Sequence, residues 1–270
     1  MAARWQQLMV HSLEQLQRRL SQRVDTTDRG EILPETKAAL QQMDAGQRLK
    51  QLVHALQKER VIAAAVVETN PDDCDGSAGA VKTDSGWVLA GFTSAAALAR
   101  WDSTARPVPV SGPQHALLAC AQYGSRLIIN PTPTGSAPEN AAAPARESAA
   151  SAPLSTDPSM GANHATSADS TGTPAVRLPR PAVIALAHGD VWLPPWEDDE
   201  LRNALQTRVG AQAQVRLRPS GGQTQVIEVG FTAQVGRAEV VRVLNELAAE
   251  PRLRVAAETV QFQPTVVNVA

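Results

Sequence analysis

Asp72, Asp73, Asp75 and Gly76 have the types expected of a calcium loop, in which closely spaced carboxylates and a turn glycine wrap oxygen ligands around the ion. Aligning Gly76 with that loop's glycine puts Pro71 at the first ligand position and Lys82 where a bidentate glutamate belongs. The segment therefore reads as a solvated turn. Cys74 stands among these aspartates, whose charge disfavours the thiolate that a nucleophile needs. Cys120 follows His115 by five residues, so the two do not share a helix face as metal ligands would, and His54 lies between Val53 and Ala55. No phosphate-cradling glycine motif and no paired Cys-x-x-Cys is present. The residues nominate no catalytic, cofactor-binding or metal-ligating side chain.

The candidates that remain concern contact with partners. Trp192-Leu193-Pro194-Pro195-Trp196 runs into Glu197, Asp198, Asp199 and Glu200; either the prolines and Asp198 set a helix entry while the tryptophans cap the core, or two tryptophans beside an acidic helix start grip a peptide or a cation. At the other end, Trp5, Met9, Leu13, Leu16 and Leu20 recur every three to five residues and lay an apolar stripe on one helix face. Trp192, Trp196, Asp198, Asp199, Trp5, Leu13 and Leu16 are thus the candidate interaction residues. The stripe packs on its own domain, meets a partner or second copy, or is a frayed extension.

Composition narrows the classes further. The chain has 270 residues with a formal net charge of -2, and no basic excess points to a polyanion. No run approaches the ~18 apolar residues of a membrane span, and no basic-then-apolar leader opens the chain. A cytoplasmic location is expected, without nucleic-acid or membrane partners and without a cofactor. Only 3% of residues are aromatic, so the core must come from Val, Leu, Ile and Ala.

The elements divide at a stretch rich in Ala, Ser, Thr and Pro, from Ser136 to Ala175, that has too little apolar surface to offset the entropy of ordering. Residues 1–30 form the N-terminal amphipathic helix and a polar hinge, and 31–135 an α/β domain. Residues 136–178 form a disordered linker, 179–265 an α+β domain, and 266–270 a tail. In the first domain, periodicity predicts a helix over Ala45–Glu59, a doubly buried strand over Val61–Val67 and a strand over Gly86–Phe92. A helix capped by Ser94, a proline-flanked edge segment at Val108–Val110, a helix over Pro113–Tyr123 with Leu117 and Cys120 inward, and a strand at Arg126–Ile129 follow. In the second domain, a strand at Ala182–Ala187, a helix at Glu200–Val209 and strands at Val215–Arg218 and around Ile227 are expected. A helix at Arg237–Glu250, with Val241, Leu244, Leu247 and Ala248 on one face, is ended by Pro251 before a last strand with Val260 and Phe262. That order, βαββαβ, is ferredoxin-like. Arg216 and Arg218 lie on its exposed face without an aromatic base-stacking partner.

Trp87-Val88-Leu89-Ala90-Gly91-Phe92-Thr93-Ser94, then Ala97, Leu98 and Trp101, Pro107 to Val110, and the ending Leu127-Ile128-Ile129-Asn130-Pro131 resemble the N-terminal domain of the SseB family. The resemblance covers about Glu35 to Pro131. The second region is similar to the C-terminal half of actinobacterial SseB-like proteins. The resemblance implies a bacterial protein linked by family name to enhanced serine sensitivity, distinct from the secretion translocon protein that shares the name. It supplies no catalytic residues. The expectation is a non-enzymatic binding or regulatory protein acting through protein–protein contact. The alternative is a small-metabolite (amino-acid) sensor, or an enzyme with a site between the domains.

Overall fold

The computed structural model describes residues 28–66, 77–83, 86–132 and 173–266. The N-terminal stripe with Trp5, Leu13 and Leu16, the aspartate loop with Cys74, and residues 136–172 of the expected linker lie outside them.

Two helices open the described chain, α1 (Pro34–Leu40) and α2 (Ala45–Lys58). Asp44 caps α2 by accepting a hydrogen bond from the Gln47 amide at 2.7 Å. The strands β1 (Arg60–Val66), β2 (Ser77–Ala78), β3 (Ala80–Thr83) and β4 (Gly86–Phe92) follow. Helix α3 (Ala95–Trp101) leads to β5 (Arg106–Ser111), and α4 (Gly112–Gln122) to β6 (Leu127–Ile129). Beyond the linker, β7 (Val176–Leu178) pairs antiparallel with β6, and α5 (Arg180–His188) packs on α4. These strands make one seven-stranded sheet, with β4 and β6 parallel. β5 pairs with β1 alone, and this open edge tolerates the donor-less nitrogens of Pro107 and Pro109.

Both faces of this sheet are covered, which explains the unbroken apolar run in β1. Val61 joins a core with α2, α4 and α5, whereas Ile62 and Ala64 join Phe92, Ala97 and Leu98 under α3.

The remainder builds a smaller sheet. Helix α6 (Asp199–Val209) precedes β8 (Ala213–Leu217) and β9 (Thr224–Phe231), and α7 (Arg237–Ala248) and α8 (Pro251–Ala256) precede β10 (Thr259–Val266). The order is β10-β9-β8, with β10 parallel and β8 antiparallel to β9. Leu201, Leu205 and Val209 of α6 pack on Ile227, Val229 and Phe231.

Several expectations are corrected. Ala182–Ala187 is helix, not strand: Pro181 sits in its first turn, Gly189 closes it at φ +77°, and Ala182, Val183, Leu186 and Ala187 are buried with helical spacing. The second sheet accordingly has three strands in the order αββααβ, without the first strand of a ferredoxin-like βαββαβ unit. Residues 176–178, assigned to the linker, form an edge strand of the first sheet, and the core of that sheet continues to Trp192. Leu117 is 47% exposed; the inner face of α4 is His115, Ala116 and Ala119, whose small alanines let α5 approach. Val241 is also exposed, and Pro251 starts α8 after α7 has ended at Ala248.

Because β7 and α5 complete the first sheet from beyond the linker, a cut between residues 150 and 151 should leave two pieces that stay together. With a site-specific protease sequence inserted there, the cleaved protein should run as one species on a native column and part only in denaturant. Separation into two independently folded pieces without denaturant would contradict this packing.

Candidate interaction groove

Phe92-Thr93-Ser94 and Ile129-Asn130-Pro131 meet at the carboxyl ends of β4 and β6. The Thr93 amide donates to Asn130 Oδ1 at 2.9 Å, and Asn130 Nδ2 donates to Thr93 Oγ1 at 3.0 Å. Asn130 holds φ +50° while its amide donates to the Gly91 carbonyl at 2.8 Å. Ser94 caps α3 by accepting from the Ala97 amide, and Trp101 returns to pack on Phe92 with ring centroids 5.2 Å apart. Thr93 and Asn130 are buried, so this constellation fastens two strand ends together and offers no open site.

His115 lies behind it, sealed in the core. Its Nε2 is 3.0 Å from the Ala90 carbonyl and therefore carries the proton, while Nδ1 has no hydrogen-bond partner. Burial pushes this imidazole down to about 4. Cys120, on the same helix, accepts a hydrogen bond from Ser125 Oγ at 3.4 Å. Among the described residues no three His, Cys, Asp or Glu side chains are grouped to hold a metal ion, and no helix is long and apolar enough to cross a membrane.

The tryptophan cluster occupies the seam between the two cores. Trp192 is 8% exposed and belongs to the core of the first sheet, whereas Trp196 touches both cores. The rings meet edge to face with centroids 5.9 Å apart. Asp198 is the N-cap of α6, accepting from the Leu201 amide at 2.9 Å, and Asp199 is paired with Arg202 on the surface. The structure therefore brings Trp192, Trp196 and Asp198 together as the entry to a helix, with Asp199 facing solvent. On the second sheet, Arg216 is exposed, and Arg218 pairs with Glu228 at 2.7 Å.

Beside Trp192 a groove of about 270 Å³ opens between α2 and the chain that leaves α5. Lys50, Gln51, Val53, His54, Gln57, Val191 and Trp192 line it. Lys50 Nζ bridges to Glu197 at 2.6 Å, and Gln57 donates to the Asp190 carbonyl, so both walls are fixed. Val191 is 81% exposed and Leu193 55%, on either side of buried Trp192 in the chain. Sequence reasoning chose the tryptophans and missed these two, because a lone valine beside a glycine turn carries no periodic signal. The only signal available was the alternation of Val191, Trp192 and Leu193, which in an extended segment sends neighbours to opposite sides.

The fold and groove define a two-sheet α/β protein with an apolar surface cleft at the seam. Residues 35–137 match the family model of the SseB protein N-terminal domain. That stretch of the chain is similar to an SseB N-terminal domain. No curated protein and no solved structure matches the chain.

Proposed function

We propose that the protein is a non-enzymatic binding protein of the SseB family whose groove receives an apolar helical segment. One observation carries this reading: exposed Val191 lines a groove together with Trp192, with exposed Leu193 next in the chain, and the walls are fixed by the Lys50–Glu197 and Gln57–Asp190 contacts. Burying each such side chain contributes roughly 1.5–3 kcal/mol. The occupant is a second copy's stripe of Trp5, Met9, Leu13, Leu16 and Leu20, which supplies apolar side chains at helical spacing. Self-association through this contact would be the regulated event, and a role in serine sensitivity follows only from the family's name.

The test uses the full chain. The double variant Val191→Asp, Leu193→Asp should keep the melting temperature, because both side chains are exposed, and should lose any dimer seen by light scattering. It should also lose binding of a labelled peptide of residues 1–27 titrated by anisotropy. Unchanged peptide binding, or a wild-type chain that neither dimerises nor takes the peptide, would refute the groove reading. A second reading, a small-metabolite sensor with its site between the two sheets, is favoured by a group of arginines at that junction.

A further inference from the structure

Three guanidinium groups from separate elements gather where the first sheet meets the second. Arg126 immediately precedes β6, Arg177 is the central residue of β7, and Arg180 opens α5. Arg177 is the register partner of Ile128, two residues beyond Arg126, so both arginines belong to the same face of the sheet. A Cβ on Gly124 would stand 3.8 Å from Arg180 Nη2, which brings the third guanidinium to the turn that leads into Arg126. A Cβ on Gly86 would fall 2.7 Å from Arg126 Nη1, so the absence of a side chain there leaves the guanidinium its place.

Among the described residues, Glu258 is the carboxylate that faces them. Glu258, from the second sheet, accepts the Arg180 amide at 3.1 Å and Gln223 Nε2 at 2.8 Å, and lies 3.6 Å from the Arg180 guanidinium. The Arg126 side chain makes no hydrogen bond or ion pair with a described residue, and its Nε is shielded from solvent. Three guanidinium groups gathered around a single described carboxylate repel one another, and an anion between the forks would offset that repulsion. Burial weakens the hold of Arg177 on its proton, and the Arg126 and Arg180 charges act in the same direction, against Glu258.

We infer that Arg126, Arg177 and Arg180 form a binding site for a phosphate-bearing small molecule at the junction of the two sheets. A phosphate offers several oxygens and nearly two charges to planar forks that match its geometry. The site is one compact group, not a stripe: Arg216 lies on the other sheet, and Arg218 there is held by Glu228. A nucleic acid or an acidic surface would need a longer track. Because Glu258 and Gln223 hang from the second sheet, a ligand on the arginines would stiffen the junction. This inference deepens the sensor reading and stands apart from the groove.

Isothermal titration of the full chain against inorganic phosphate and glycerol 3-phosphate, at constant ionic strength set by chloride, tests it. Saturable binding of at least one is expected; preference for the ester marks an organic phosphate as ligand, and preference for the free ion marks phosphate itself. Arg126→Gln should weaken binding by about tenfold or more, with no loss of melting temperature in chloride, since it removes one of three gathered like charges. Arg177→Gln should weaken binding comparably. The Val191→Asp, Leu193→Asp chain should bind phosphate normally, which keeps the two readings separable. Absence of saturable binding to either probe, wild-type affinity in both arginine variants, or unfolding of Arg126→Gln would overturn the inference.

Discussion

Gly112→Ala is expected to abolish stable folding of the first domain. Gly112 opens α4 directly against the end of α2, and its amide donates to the Glu59 carbonyl at 3.3 Å. A Cβ there would lie 1.9 Å from the Leu56 carbonyl oxygen and 2.8 Å from its carbon. Backbone cannot swing aside as a side-chain tip can, so α4 and α2 would have to part. Leu49, Leu52, Val53 and Leu56 of α2 share one core with Ala116 and Ala119 of α4, and that core would open. The loss should exceed about 4 kcal/mol, the range reserved for severe core defects, and appear as lost soluble yield or a collapsed melting transition. Gly222→Ala, with no atom within 4 Å of its Cβ, is the control and should change stability by less than about 0.5 kcal/mol. A folded Gly112→Ala chain with a near-normal melting temperature would show that the approach of the two helices is looser than described.

The second large effect is a loss of stability on mild acidification, centred on His115. The folded chain holds this imidazole neutral down to about 4, against an ordinary value of 6.5, because burial penalises the cation. Between these values the unfolded chain binds a proton that the folded chain does not, so stability falls as pH drops. The contribution is intact above about pH 6.5, declines through the interval, and is fully lost below about pH 4. A gap of this size corresponds to about 3 kcal/mol. Urea melts at pH 7 and pH 5 should show about half of it. His115→Gln retains a donor for the Ala90 carbonyl but cannot titrate, and its stability should be nearly level over the same interval. Carboxylates act at lower pH: Arg60 holds Asp28 below the usual range, as Arg208 holds Glu250, and their stabilisation disappears only as each is protonated. Equal pH dependence in wild type and His115→Gln would assign the loss to other groups.

Local chemistry was the most legible part of this protein. Gly86–Phe92, the Ser94 cap, the helix beginning at Ala45 and the inward set Leu201, Leu205 and Val209 all follow from periodicity and capping, which act between residues a few positions apart. The family pattern around Phe92-Thr93-Ser94 and Ile129-Asn130-Pro131 was also visible, and the structure supplies its cause. Thr93 and Asn130 hydrogen-bond across the ends of parallel strands, and Trp101 covers Phe92. The pattern therefore records a requirement of packing.

The segment Ala182–Ala187 marks where local reasoning stopped. Six consecutive apolar or small residues suit a buried strand or a buried helix equally, and the deciding cues, Pro181 and Gly189, lie at its borders. The same error displaced the domain boundary, since a helix packing on α4 belongs to the first core and a strand would have belonged to the second sheet. Amino-acid order by itself determined most of the inward-facing positions, with Leu117 and Val241 as exceptions, and where most helices and strands begin. Only the tertiary structure decided that residues beyond the linker complete the first sheet, that Trp192 is floor while Val191 and Leu193 are exposed, and that three arginines share one junction. Those facts depend on contacts between residues far apart in the chain. Their energies are gained only once both partners have been brought together, and so they leave no periodic trace in the order of the residues.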